Sequence, residues 1–224
     1  MTPMNSRTIR PRPNRTIRRA ATTRAARANK PSSHLVVGLT GPNASGKGEV
    51  ASFLASLGFS LHSLSDVVRD EATRRGLDHS RDTLIGVGVE MRSRQGPGAL
   101  ALRVLPRLTG RAVVDSIRNP GEVAVLRRLP RFLLLGIDAP QPLRFQRSLL
   151  RGRLGDGATL EDFARKEERE NSTTPAGQQL LATLAEADIV IVNDGTIGDL
   201  RRGVREALAA RGLKLTVGGR PKGS

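Results

Sequence analysis

The chain has 224 residues, no cysteine, tryptophan or tyrosine, five phenylalanines and a formal net charge of +16. Lack of cysteine excludes disulfides, thiolate metal sites and thiol nucleophiles, and the scattered His34, His62 and His79 have no metal-ligand spacing. So few aromatic residues leave no platform for stacking single-stranded bases, no apolar run reaches the length of a membrane span, and the length suits one α/β domain with a real core.

Residues 1–33 carry nine of the excess positive charges, no acid and four prolines. Such a segment cannot bury enough apolar surface to offset the entropy of ordering, so it reads as a disordered basic tail. Any nucleic-acid contact it makes is expected to be non-specific and salt-sensitive. It holds no apolar stretch beside Arg18 and Arg19, so it is not an export signal, and the expected location is cytoplasmic.

From His34 onward, strands and helices alternate. The pattern predicts strands at 35–40, 59–62, 111–115, 132–137 and 188–192. Helices are expected at 47–57, 65–75, 81–94, 98–106, 120–128, 141–151, 159–171, 176–186 and 197–210. This order predicts a parallel sheet covered on both faces, with ligands at the carboxyl ends of the strands. The domain spans 34–211, and 212–224 reads as a frayed basic end.

The strand at 35–40 runs into Gly41-Pro-Asn-Ala-Ser-Gly-Lys-Gly48, and a helical pattern follows at once. A glycine-bounded loop between a strand and a helix turns successive backbone N–H groups around a polyphosphate, with the helix N-terminus adding partial positive charge. Lys47 supplies a cation for the outer phosphates. Gly41, Asn43, Ala44, Ser45, Gly46, Lys47 and Gly48 therefore form a triphosphate site, which calls for ATP with Mg²⁺ as cofactors. Gly48 stands where the motif expects a hydroxyl for the Mg²⁺ shell, and Glu49 follows. The Glu49 carboxylate either reaches a metal-bound water or favours the first helical turn through its dipole.

Further along, Asp66 and Arg69 open the helix after the second strand, and Arg69 sits one turn on, able to return toward the cleft. Arg92 and Arg94 are weaker candidates for the same acceptor site. Asp115 ends the third strand, where a carboxylate holds the water shell of a magnesium ion, and Arg118 follows. Arginine pairs suit the phosphate of a second substrate. Arg144, Arg147 and Arg151 share one helix face and Arg153 follows in a glycine-rich segment, the composition of a mobile loop that meets developing phosphoryl charge. Thr159 with Asp162 predicts a capping box.

Taken together, residues 35–210 resemble the nucleoside and nucleotide monophosphate kinases of the phosphate-loop superfamily. Gly41–Gly48 is similar to their nucleotide loop, Asp66 to Arg69 to the start of their acceptor region, Asp115 and Arg118 to their post-strand acid and acceptor arginine, and 144–153 to their lid. Val37-Gly-Leu-Thr-Gly41 and Ala187–Gly195 resemble dephospho-CoA kinase. The resemblance implies a three-layer P-loop fold with a five-stranded parallel sheet, a lid and an acceptor-binding arm, and places Asn193 beside the adenine. It implies catalytic roles for Lys47, Asp115, Arg144, Arg151 and Arg153, and acceptor contacts from Asp66, Arg69, Arg92 and Arg118.

The acceptor stays open between two chemistries. A nucleoside monophosphate is already anionic and needs mainly cations, whereas the hydroxyl of dephospho-CoA needs a base, for which Asp66 is the candidate. A nucleotide-binding regulatory module without turnover is the third possibility, suggested by Gly48. The small-molecule acceptor is the expected partner, with no membrane involved.

Overall fold

A computed structural model describes residues 34–152 and 157–212. The basic segment 1–33, Arg153 and residues 213–224 lie outside the described residues.

Five strands form one parallel sheet in the order β2-β3-β1-β4-β5: β1 (Leu35–Thr40), β2 (Ser60–Ser63), β3 (Arg111–Asp115), β4 (Phe132–Asp138) and β5 (Ile189–Val192). The central strand β1 pairs with β3 on one side, Val37 beside Val113, and with β4 on the other, Val37 beside Leu133. All six residues of β1 are buried, as are the middle five of β4. Their unbroken apolar character follows from helices lying on both faces. β5 differs: it is an edge strand whose Val190 and Val192 point outward.

The helices are α1 (Lys47–Ser56), α2 (Leu64–Arg74), α3 (Arg81–Gln95), α4 (Ala99–Val104), α5 (Pro120–Leu126), α6 (Gln141–Arg151), α7 (Leu160–Glu170), α8 (Leu180–Ala185) and α9 (Ile197–Ala210). On one face, α1 and α9 pack Phe53, Leu54, Val204 and Leu208 against Val37, Leu39, Leu135 and Ile137. On the other, α2, α3, α4 and α5 pack Leu64, Val68, Met91, Leu100 and Val123 against Val36, Val114 and Leu134. Sheet and helices thus make three layers, as the sequence predicts.

The expected helices and strands are present, with ends shifted by a residue or a few. The largest shift is at α8, which starts at Leu180 rather than near 176. Residues 172–179 instead fold as a compact loop: Asn119 Nδ2 donates to Pro175 O and Gly177 O, each at 2.8 Å. A helix there would have buried those carbonyls in its own ladder. The Thr159 hydroxyl caps α7 by accepting from Asp162 N–H, while a complete reciprocal box forms at Thr196 and Asp199 on α9.

The chain leaves β1 for β2 on one side of the sheet and reaches β4 on the other, so a crevice opens at the carboxyl end of β1.

Candidate functional site

The loop after β1 has the backbone that its glycines allow. Gly41 has φ 131°, and a Cβ there would lie 2.0 Å from Ile137 O, so the loop leaves the sheet pressed against β4. Gly46 has φ 109°, and a Cβ there would lie 2.3 Å from Asn193 Nδ2. Both conditions exclude a side chain. Ala44 also has positive φ, 57°, the strained conformation of a non-glycine residue held by its surroundings.

Lys47 Nζ donates to Gly41 O and Pro42 O, each at 2.7 Å, so the ammonium closes the loop on itself. Its burial pushes the pKa down from 10.5 to about 7, against the pull of Asp115 and with the push of Arg118, Arg151 and Arg144. A cation so placed among other cations favours an arriving anion.

Asn193 is where the crevice expects it but has a different task. Its Nδ2 donates to Ser45 O at 2.8 Å and its backbone N–H to Asp138 O at 2.7 Å, so the side chain braces the nucleotide loop. Glu49 is likewise engaged: its carboxylate pairs with Arg201 of α9. The Ser45 hydroxyl is buried without a partner.

Asp115 stands at the tip of β3, next to β1. One carboxylate oxygen, Oδ1, is buried and has no hydrogen-bond partner, while Oδ2 accepts from Ser116 at 3.4 Å. Ser116 has φ 64°, a left-handed conformation that points its hydroxyl back into a chain of polar groups. Ser65 donates to Ser116 at 3.2 Å, and Arg69 donates to Ser65 at 3.3 Å and to Asp66 at 2.5 Å. Asp66 is exposed and held by Arg69, outside the cavity lining that includes Arg69, Ser65 and Ser116.

The fold implies Mg²⁺, and the orphaned Asp115 Oδ1 fits it. Magnesium keeps most of its waters and takes one or two carboxylates plus phosphate oxygens, and among the described residues no group of three or more His, Cys, Asp or Glu is placed to hold a metal ion. Asp115 is the one residue here that would hold the hydrated ion, which would neutralise phosphate charge. Gly48 contributes no ligand.

Arg118 enters the same crevice from the turn after β3. Its Nη1 donates to Gln178 at 3.2 Å, and its carbonyl accepts from Gln179 N–H at 2.8 Å, so the loop at 172–179 fixes both ends of the residue. Burial pushes its guanidinium pKa down, opposed by Glu170 and Asp115. Behind it, Glu122 Oε2 accepts from Arg118 N–H at 2.9 Å while Oε1 accepts from Arg92 Nε and Nη2 at 3.0 and 2.7 Å. Arg92 is thus not a free acceptor arginine. It is buried and forked onto Glu122, which leaves its Nη1 edge toward the crevice.

From the other side, α6 brings Arg144 over the loop. Arg144 is buried, donates to Ala139 O at 2.9 Å and toward Asn43 O at 3.5 Å, and pairs with Glu167 of α7. Arg147 donates to Asn193 O at 3.1 Å. Arg151 is exposed at the end of α6, beside Gly152. The arginines of this helix therefore divide: Arg144 reaches the nucleotide loop at Asn43, Arg147 fastens α6 to the segment after β5, and Arg151 is exposed.

Several of these residues line one cavity of about 580 Å³; Asp66, Asp115, Arg144, Arg151 and Asn193 are not part of its lining. It runs from Gly41, Asn43 and Lys47 past Ser116, Arg69 and Arg118 to a chamber walled by Leu64, Val68, Leu84, Ile85, Leu100 and Leu180. His79, Arg81 and Glu170 stand at its rim, the last two paired with each other. Among the predicted residues, Lys47, Arg69, Arg92 and Arg118 meet in this space. The sequence reading missed Ser65, Ser116, Asn119, Glu122, Gln178 and the acids Glu167 and Glu170. Ser65, Ser116, Asn119 and Glu122 stand within the segments around Asp66, Arg69, Asp115 and Arg118, whereas Gln178, Glu167 and Glu170 had no such signal.

A parallel sheet in this order with a glycine-bounded loop closing β1 defines a phosphate-loop protein of the kinase fold. The shikimate kinase from Acinetobacter baumannii shares that fold, with a TM-score of 0.53 and 15% identity over 82% of this chain and 97% of its own. A protein of Thermus thermophilus shares it with a TM-score of 0.53 and 22% identity over 79% and 97%. The chain belongs to the UPF0200 family: it is 30% identical over 184 residues to the UPF0200 protein of Pyrococcus horikoshii, covering 78% of this chain and 96% of that one. No family model matches. No helix among the described residues is long and apolar enough to cross a membrane.

Proposed function

We propose that the protein transfers the γ-phosphoryl group of ATP to a nucleoside or deoxynucleoside monophosphate. The observation that carries this reading is the continuity of the cavity, which joins Lys47 on the triphosphate loop to Arg69 and Arg118 at the entrance of an apolar chamber. Phosphoryl transfer requires two anions to be brought together in line and their charge to be met by fixed donors. Lys47 takes the outer phosphates of the donor, Arg118 and Arg69 take the acceptor phosphate, and Arg144 and Arg151 approach from the lid side. The apolar walls receive the acceptor's base. Asp115 would hold Mg²⁺ through water, and the ion would supply charge neutralisation on the donor phosphates.

An acceptor phosphate oxygen is already ionised and needs no base. Asp66, the candidate base for a hydroxyl acceptor, is exposed and tied to Arg69, outside the cavity lining. This favours a monophosphate over dephospho-CoA. The test is formation of ADP from ATP and Mg²⁺ with a panel of ribo- and deoxyribonucleoside monophosphates beside dephospho-CoA. Monophosphate-dependent turnover supports the reading; nucleotide binding with no acceptor-dependent turnover supports a regulatory module instead.

A further inference from the structure

Helix α3 carries a glycine that its own packing does not require. Gly88 is buried in the middle of the helix and lines the chamber. Glycine inside a helix is less favourable than alanine, so it persists where something needs the space. The protein does not need it: a Cβ on Gly88 would meet Arg92 Nη1 at 3.4 Å and Val68 Cγ2 at 3.6 Å, both ordinary contacts. Its φ lies outside the left-handed range, so no special backbone conformation explains it either. What an added methyl would alter is the chamber, by covering the Nη1 edge of Arg92.

Arg92 is suited to reading a ligand at that window. Its Nε and Nη2 are both committed to Glu122 Oε1, which holds the guanidinium plane in a fixed orientation. The same Glu122 accepts the Arg118 backbone N–H through Oε2, so one carboxylate sets both the guanidinium at the chamber floor and the arginine at its entrance. Guanidinium nitrogens donate and never accept. A group meeting Nη1 must therefore be an acceptor, which on a heteroaromatic ring is a carbonyl oxygen or an unprotonated ring nitrogen.

We propose that Gly88 is a specificity determinant of the acceptor chamber: it bares the α3 backbone and Arg92 Nη1 so that a flat heteroaromatic ring lies across the helix and accepts a hydrogen bond from Arg92. This rests on the monophosphate reading above and extends it from the acceptor's phosphate to its base. Val68 and Leu84 flank the ring, and the phosphate lies toward Arg118. Truncating the ring from the acceptor, or closing the window, removes the same interaction.

The experiment compares wild type with Gly88→Ala and with Gly86→Ala, whose position on the same helix is exposed and has nothing within 4 Å of an added Cβ. Both substitutions are expected to raise the melting temperature by about 2 °C through helix propensity, which shows that each variant is folded. Dissociation constants are measured by calorimetry for a panel of nucleoside monophosphates, for ribose 5-phosphate, which has the phosphate without the ring, and for ATP. The expected result is a loss of roughly tenfold in monophosphate affinity for Gly88→Ala alone, in line with a displaced polar contact, with ribose 5-phosphate and ATP unchanged. Monophosphates that bind wild type and Gly88→Ala equally would overturn the role of Gly88 and leave the monophosphate reading standing. A wild type that binds no nucleoside monophosphate more tightly than ribose 5-phosphate would overturn both.

Discussion

Lys47 is the residue on which the donor site turns. With its ammonium folded onto Gly41 O and Pro42 O and its pKa near 7, the folded chain holds this proton more weakly than the unfolded chain does. Between about 7 and 10.5 the unfolded state therefore binds more protons, and the contribution of Lys47 to stability rises with pH across that window. Triphosphate binding reverses the preference by favouring the charged form. Calorimetry at pH 8 in buffers of different ionisation enthalpy should show proton uptake on ATP binding that disappears in Lys47→Ala; equal enthalpies in all buffers for the wild type would contradict the depressed pKa. Lys47→Ala should stay folded and lose about two orders of magnitude in turnover, the scale of one donor to developing charge. On the acceptor side, Arg118→Ala should raise the acceptor KM sharply with little change in ATP affinity. Asp66→Asn should cost little, since that carboxylate touches only Arg69.

At the scale of elements, the sequence showed what local patterns encode and hid what tertiary pairing decides. The apolar runs of β1 and β4, the loop between β1 and α1, and Asp115 at the end of β3 were legible because each rests on short-range spacing. The fates of Arg92, Asn193 and Glu49 were not, because the partners that claim them lie far off in the chain: Glu122, the Ser45 carbonyl and Arg201. Spacing places a side chain on a face and says nothing about which distant group reaches it first. The buried pair Arg92–Glu122 ties α3 to α5 and should reveal itself in stability. Glu122→Ala leaves a buried guanidinium uncompensated and is expected to cost about 3 kcal/mol or more in chemical denaturation. Replacing both partners with leucine and methionine should recover much of that loss while impairing acceptor binding, because Arg118 loses its backbone anchor.

For the described domain, the cavity runs from the loop after β1 to the apolar chamber. In the sequence, nine basic residues fall in 1–33, while Arg69, Arg92 and Arg118 line the cavity. We expect deletion of that segment to leave the melting temperature and ATP affinity unchanged, because its composition offers no apolar face to dock; a fall of several degrees would show that it packs on the domain. The Thermus and Acinetobacter neighbours share the fold over most of their length, and fold alone does not choose an acceptor. The most direct measurement is therefore steady-state ADP formation with ATP, Mg²⁺ and each acceptor in turn, on the wild type, Lys47→Ala and Asp66→Asn. The account predicts turnover that depends on a nucleoside monophosphate, falls by about two orders of magnitude in Lys47→Ala and persists in Asp66→Asn. Turnover confined to dephospho-CoA and abolished by Asp66→Asn would contradict it.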